Sequence, residues 1–367
     1  MVYQIEKFFS NKLMNLTIII PTIDYREALV SRSIQYYRNL SINIIIVDGS
    51  KKFHNYKLKS NEKHFHLCKL NFMERVIYGV AKAKTKYVAI CQDDDFLNHK
   101  SLQKGIKFLD SNSDYSFLNG VDIYFEKFLN KFYLTQVYPE GKHNFYSSDN
   151  LYKRFKQIKK TKTQMTASLF RQKHILKALN SFQNLKLNEK NELRLYDEIA
   201  FSLFPIMHGR YKCINEIWQI RDRAVYPYYK KKHDLKKSNS IINISKKEFL
   251  NLPETNKLKK YFYNHIKHKE KSLSFDDFSK DFNSEYLFEN KVLKQFTPNS
   301  FKIFFKKKLS YLFDCLKFFK KFIRIIFLEK NLLIDSKKDQ LFISNEWKVI
   351  HKYLIKFNKE TKKIDLT

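Results

Sequence analysis

Glycine and proline are scarce, six of each in 367 residues, which excludes collagen-like and linker-like chains. Cysteine is scarce too: Cys68, Cys91, Cys213 and Cys315 lie far apart with no CxxC pair. That spacing argues against a conventional structural zinc site or a disulfide framework and fits a reducing compartment. Apolar runs long enough to span a bilayer are missing, because lysine interrupts them every few residues. Residues 1–12 are mixed polar and lack the continuous apolar stretch of a secretion signal. The expected location is therefore the cytoplasm, or the inner face of a membrane as a peripheral protein. There is no P-loop, no GxGxxG and no GxSxG, which argues against a P-loop kinase, a dinucleotide enzyme and a serine hydrolase.

Acidic residues are the minority charge, 37 against 70 Lys and Arg, for a formal net charge of +33. Such a balance first suggests nucleic acid or an anionic membrane surface. It is equally the product of codon bias in an AT-rich genome, which enriches Lys, Asn, Ile, Phe and Tyr and depletes Gly, Pro, Ala and Trp. The charge alone names no partner. Hydrophobic residues at 43% and aromatics at 16% supply ample core and exclude global disorder. The length suits two domains, or one large domain with an appendage.

Short β-branched runs come first. Residues 16–21 (LTIIIP) and 42–47 (INIIIV) read as buried strands, the second ending in the turn signal Asp48-Gly49-Ser50. Residues 26–40 between them, and 72–84 after them, carry apolar positions at helical spacing. Residues 87–91 (YVAIC) read as a third strand running directly into Gln92-Asp93-Asp94-Asp95-Phe96. Alternating strands and helices with continuous apolar strands predict an α/β fold with a parallel sheet flanked by helices. Further on, 101–109 reads as helix, 115–125 as strand, 126–162 as loops and short elements, and 166–170 as strand. Residues 192–207 read as helix and 211–220 as strand. Beyond about 225 the chain turns Lys/Asn/Ser-rich and helical, which suggests domains at 1–225 and 226–367.

Three adjacent carboxylates at the end of a buried strand repel one another the more as water is excluded, so a fold that keeps them near its interior needs a cation there. In an open parallel sheet, ligands bind at the carboxyl ends of the strands. Carboxylate oxygens suit Mg²⁺ or Mn²⁺, commonly bridging to substrate phosphates. The plainer reading is a solvated acidic turn capping the next helix. Asp48 ends the second strand at the same edge, where it can accept a hydrogen bond from a nucleobase imide or a ribose hydroxyl, or simply make a turn.

Taken in order, Leu16-Thr17-Ile18-Ile19-Ile20-Pro21-Thr22, Ile45-Ile46-Val47-Asp48-Gly49-Ser50, Tyr78-Gly79-Val80-Ala81 and Tyr87-Val88-Ala89-Ile90-Cys91-Gln92-Asp93-Asp94-Asp95-Phe96-Leu97 resemble the nucleotide-binding half of family-2 glycosyltransferases with the GT-A fold. The resemblance covers roughly residues 14–222. It implies a GT-A-type, Rossmann-like, mostly parallel sheet with a mainly helical C-terminal extension. It further implies that Asp48 contacts the base and that the acidic cluster holds the metal on a sugar-nucleotide diphosphate. Two departures matter. Val47 stands where the family has a further acidic residue, and Gln92 falls on the first Asp of the family's DxD. Asp94 and Asp95 then align best with the metal ligands, with Asp93 supporting them. Pro21, Thr22, Asp48, Gly49, Asp93 and Arg221 form the expected nucleotide-binding set.

The family's catalytic base comes from an acidic pair about eleven residues before a glycine. Here Tyr196-Asp197-Glu198 precedes Gly209, and Glu198 lies eleven residues before it. Spacing favours Glu198 and the family's preference for Asp favours Asp197; the two stay open. Two carboxylates leading a helix also suit its positive end, so one of them has an ordinary structural use. Arg221 and Arg223 can reach a diphosphate or be surface charge, and Arg171 has no spacing that lifts it above surface charge. His64-Phe65-His66 puts two rings on one face of a strand, but with no third ligand that is not a metal site.

In residues 302–330, Lys306, Lys317 and Arg324 fall within about 20° of one another on a helix, with Lys320 and Lys321 beside them. Phe305, Leu309, Leu312, Leu316, Phe319, Ile323 and Ile326 form an apolar stripe roughly a third of a turn away, with Phe313 breaking into the basic sector. That pattern fits an interfacial helix on anionic lipid or a helix docked on the core. The whole reads as an inverting, metal-dependent glycosyltransferase using Mn²⁺ or Mg²⁺. It would move a sugar from a nucleotide-sugar donor to a glycan or lipid-linked acceptor, in bacterial surface polysaccharide synthesis by family inference, with no nucleic-acid partner expected. Its rivals are a nucleotidyltransferase, which would carry a glycine-rich basic loop that residues 22–26 lack, and a non-catalytic basic protein, which would lack an acidic pocket.

Overall fold

The computed structural model describes residues 15–283, apart from 25, 39, 41, 129–130, 137–144, 159–164, 188–193, 223–249 and 251, and the side chains of 125–128, 131–136, 194, 195 and 198. The amphipathic stretch 302–330 and Arg223 lie outside the described residues. Two compact units share the chain: Met1–Ile123, Gln136–Arg221 and His233–Thr297 form the first, and Tyr124–Thr135, Asp222–Lys232 and Pro298–Thr367 the second. The site and most of the sheet lie in the first unit; residues 124–128 and 131–135 of the sheet and Asp222 belong to the second.

Strand β1 (Leu16–Thr22) is buried at all seven positions, as its β-branched run requires of a central strand covered on both faces. It pairs in parallel with β2 (Asn43–Asp48) on one side and with β4 (Tyr87–Ile90) on the other, and β3 (Glu62–His66) adds in parallel outside β2. The expected parallel α/β sheet is therefore four strands in the order β3-β2-β1-β4. It continues as a second half that contains the strands expected at 115–125, 166–170 and 211–220, in an antiparallel arrangement that sequence patterning did not show. Strand β9 (Leu169–Arg171) runs antiparallel to β4, then come β6 (Tyr115–Phe128), β10 (Arg210–Asp222) and β5 (Asp95–Leu97). Strand β7 (Lys131–Gln136) pairs with β6 and β8 (Phe145–Tyr146) with β10.

Helix α1 (Glu27–Arg38) covers the sheet with Leu29, Val30, Ser33, Ile34, Tyr36 and Tyr37, a three-and-four spacing. Helix α2 (Phe72–Lys82) starts on a capping box, with Asn71 accepting from the Glu74 amide and Glu74 accepting from the Asn71 amide. Its Gly79 lies so close to the sheet that a β-carbon there would stand 2.9 Å from methyls of both Ile19 and Val47. Helix α3 (His99–Ser111) is capped by Asn98. Helix α4 (Leu151–Ile158) falls in the stretch expected to be loops and short elements, and 165–167 forms a 3-10 turn where the strand 166–170 was expected to begin. Helices α5 (Gln172–Asn184) and α6 (Arg194–Ile206) pack together with Phe182, Phe201 and Phe204 in one large core cluster. Helices α7 (Pro253–Lys267) and α8 (Phe275–Asp281), although beyond residue 225, insert Leu258, Phe262, Ile266 and Phe278 into that same cluster. No described helix is long and apolar enough to cross a membrane.

Candidate functional site

The parallel register brings the ends of β1, β2 and β4 to one edge. Thr22, the last residue of β1, faces Asp48 of β2, and its carbonyl accepts the Gly49 amide at 2.9 Å. The Thr22 hydroxyl donates to Asp93 Oδ2 at 2.7 Å. One threonine thus ties two strand ends to the acidic turn. Pro21 is buried within β1 opposite Val47.

The acidic turn is clamped by α1. Ser33 Oγ donates to the Asp93 carbonyl at 3.0 Å, Arg32 Nη2 to the Asp94 carbonyl at 3.1 Å and Tyr36 OH to the Leu97 carbonyl at 3.1 Å. Tyr37 OH donates to Cys91 Sγ and accepts the Leu97 amide at 2.9 Å. The Arg32 guanidinium also lies 4.7 Å from the centre of the Phe96 ring. With its backbone so anchored, the turn sends two of its carboxylates to one cation and the third to the opposite half of the sheet.

Asp93 and Asp94 converge on Arg26, the residue that opens α1. Arg26 Nη2 is 2.6 Å from Asp94 Oδ2 and 3.1 Å from Asp93 Oδ1. Burial opposes the charge of Arg26, but Asp93, Asp94 and Asp95 together raise its pKa above the ordinary value, so it stays a cation. Burial raises Asp93 to about 7, with Asp94 adding to the shift and Arg26, Thr22 and Arg32 opposing it. Asp95 turns to the antiparallel half. Its Oδ2 accepts from Gln219 Nε2 at 2.6 Å and lies 3.8 Å from Arg221 Nε, both on β10. The expected metal pair Asp94 and Asp95 is therefore directed to different cations and donors, and Asp93, expected only to support them, shares Arg26 with Asp94. Among the described residues there is no group of three or more His, Cys, Asp or Glu arranged to hold a metal.

Asp48 is fully buried. Its Oδ1 accepts the Ser50 amide at 2.8 Å and its Oδ2 lies 3.1 Å from His64 Nε2. Burial works against its ionisation, yet the hydrogen bonds from His64 and Ser50 prevail and its pKa lies below the ordinary value. His64, set aside as a metal ligand, is thus the partner of Asp48. A β-carbon at Gly49 would collide with the Arg75 guanidinium, 1.9 Å from Nη1, so glycine lets that guanidinium lie over the turn. Arg75 in turn donates to the Leu70 carbonyl at 3.0 Å.

An aromatic group surrounds the Asp48–His64 pair. Phe53 leans on His64 with ring centroids 5.3 Å apart and meets His66 edge-on at 5.8 Å, while Tyr56 meets His64 edge-on at 4.9 Å. Burial and the nearby carboxylates of Asp48, Glu27 and Asp93 raise the Tyr56 hydroxyl far above its ordinary pKa. Phe53 is 64% exposed and Ile23, beside Thr22, is 41% exposed, so two large apolar groups face solvent near the strand ends.

Asp197 lies in the first turn of α6, partly exposed, with Glu198 next to it. Helix α6 packs against the turn Met165–Ala167. Because β9 runs antiparallel to β4 with Leu169 opposite Ala89, that turn lies at the carboxyl end of β4, the end that carries the acidic residues. Gly209 has a steric reason of its own, since a β-carbon there would stand 2.7 Å from the Asp114 carbonyl. Arg171 is structural: its guanidinium donates to the carbonyls of Tyr115 at 2.6 Å, of Asn112 at 2.8 Å and of Leu109.

Arg26, Arg32, Ser33, His64 and Gln219 belong to the site and were not assigned to it from sequence. The helical spacing of α1 was visible, but nothing in it marked the helix as the clamp of a turn some sixty residues away.

No family model and no curated protein matches the chain. Among solved structures it is similar to S. aureus TarS 1-349, with 15% identity, 76% of this chain and 77% of that chain covered, and a TM-score of 0.40. For TarS 1-349 in complex with UDP the identity is 14%, the coverage 76% and 82%, and the TM-score 0.39. For TarS 1-349 in complex with UDP-GlcNAc these are 16%, 69% and 72%, and 0.36. At these scores the functional reading rests on the chain's own residues.

Proposed function

We propose that this chain is a glycosyltransferase that moves a sugar from a nucleotide-diphosphate donor to a hydroxyl of a glycan or lipid-linked acceptor. The observation that carries the reading is the joining of Thr22, Gly49, Asp93, Asp94 and Arg26 at the carboxyl edge of the parallel strands, where open α/β sheets bind ligands. A basic protein that only adheres to nucleic acid or lipid has no use for a buried acidic turn held by four residues of one helix.

Asp93 Oδ1 is buried and accepts no hydrogen bond, and it meets an Asp94 oxygen around a single cationic nitrogen. Those oxygens have the chemistry of a Mg²⁺ or Mn²⁺ site completed by substrate phosphates, so Asp93 and Asp94 would hold the ion. Once bound, such an ion supplies charge to neutralise the departing diphosphate.

The remaining roles fall to the chain. The base lies against Phe53 at the Asp48–His64 end, with the diphosphate between Thr22 and the arginines Arg26 and Arg221. Asp197 or Glu198 takes the proton of the acceptor hydroxyl. The acceptor oxygen then forms its bond to the anomeric carbon as the carbon–phosphate-oxygen bond breaks on the opposite face, inverting the centre. The basic stretch 302–330 would meet anionic lipid and bring the enzyme to a lipid-linked acceptor at the inner face of the membrane.

Calorimetry with a panel of nucleoside diphosphates, with Mg²⁺ and with EDTA, tests the reading. One of them should bind the wild type, and Asp94→Ala should weaken that binding about tenfold or more while the protein stays folded. Failure of every nucleoside diphosphate to bind would overturn it.

A further inference from the structure

The carboxylates of Asp93 and Asp94 meet on a nitrogen of the chain itself. Arg26 Nη2 lies 2.6 Å from one and 3.1 Å from the other, at the point where two hard oxygens would otherwise receive an ion. A guanidinium nitrogen and a divalent cation cannot share that point, because both are positive and both need the same oxygens.

The two arginines beside the turn are held very differently. Arg32 is buried, bonded to the Asp94 carbonyl and stacked on Phe96. Arg26 is anchored by its backbone, whose carbonyl accepts the Leu29 and Val30 amides at 3.0 Å as α1 begins. Its side chain is 27% exposed, and its Nε is buried with no hydrogen-bond partner. The guanidinium can therefore leave the carboxylates by side-chain rotation alone, without disturbing the helix.

We propose that Arg26 occupies the cation point between Asp93 and Asp94 until a divalent ion displaces it, and that the displaced guanidinium turns to the donor diphosphate. Metal and nucleotide then assist one another, because each favours the same displaced position of Arg26. The second half rests on the nucleotide-sugar reading. The competition between ion and guanidinium needs only the metal.

The experiment uses Mn²⁺ alone, with binding followed by the paramagnetic signal of the free ion. Arg26→Gln should bind Mn²⁺ at least about tenfold more tightly than the wild type, and Arg26→Gln combined with Asp94→Asn should lose that gain. In the wild type, labelled at its arginines, Mg²⁺ titration should shift and narrow the Arg26 Nε–H resonance as the guanidinium is released. This second measurement needs no variant to fold. Adding the nucleoside diphosphate that binds should tighten Mn²⁺ more in the wild type than in Arg26→Gln. Equal or weaker Mn²⁺ binding by folded Arg26→Gln, or an Arg26 resonance unmoved when Mg²⁺ is bound, would overturn the proposal. Absence of any sugar transfer, with the metal result intact, would instead count against the glycosyltransferase reading.

Discussion

Thr22 and Asp93 are joined by a 2.7 Å hydrogen bond from the threonine hydroxyl to Oδ2, across 71 residues of sequence. The same threonine accepts the Gly49 amide, so it fixes the spacing between two strand ends and the acidic turn. Thr22→Val keeps the shape and removes the donor. Leaving a buried carboxylate oxygen short of its partner should cost about 1–3 kcal/mol, seen as a lower melting temperature, whereas Thr22→Ser should melt near the wild type. Identical melting of all three proteins would mean that this bond does not hold the turn.

Acid should destabilise the fold through His208. Burial lowers its pKa to about 4, with Lys177, His174 and His265 adding to the shift. The unfolded chain takes up a proton near pH 6.5, and the folded chain does so only near 4. The contribution of His208 is thus complete above about 6.5 and is lost as the pH falls toward 4. Asp93, raised to about 7, works in the opposite sense over the same range, so the contribution of His208 is read as the difference between wild type and variant. Denaturant titrations of His208→Gln should show a shallower loss of stability on acidification than the wild type, and parallel curves would contradict this.

Phe53 offers an exposed ring face beside the Asp48–His64 pair. Stacking of a base on an aromatic is worth roughly 1–3 kcal/mol, so Phe53→Ala should weaken nucleoside diphosphate binding about tenfold. Because the ring is exposed, the melting temperature should barely change. Undiminished binding by Phe53→Ala would place the base elsewhere.

Removal of the base should separate chemistry from binding. Asp197→Asn or Glu198→Gln should lower the transfer rate about a hundredfold or more and leave donor affinity nearly intact. Steady-state kinetics beside calorimetry checks this. Wild-type rates in both variants would exclude the pair.

The parallel half of the fold was legible because burial on both faces forces continuous apolar runs, and β1, β2 and β4 were read to within a residue or two. Strand β5 and helix α4 were not, since three residues of strand and eight of helix carry too little periodicity to stand out. At the site, the position of the acidic turn could be read because it follows YVAI directly. The division of its carboxylates could not. Asp95 begins strand β5, whose pairing with β10 puts it opposite Arg221, and that pairing joins residues more than a hundred positions apart. Arg26 and His64 were hidden for the same reason, because their partners are set by strand order rather than by neighbours in sequence.

A nucleotide sugar as the donor at these strand ends should be cleaved by the protein even without an acceptor. The most direct test is to incubate the full chain with a panel of nucleotide sugars and Mn²⁺, and to measure release of the nucleoside diphosphate. The wild type should hydrolyse one donor class slowly, and Asp94→Ala should abolish that hydrolysis with the fold retained. A folded wild-type protein that releases no nucleoside diphosphate from any donor, or an Asp94→Ala variant that releases it at the wild-type rate, would contradict the nucleotide-sugar reading.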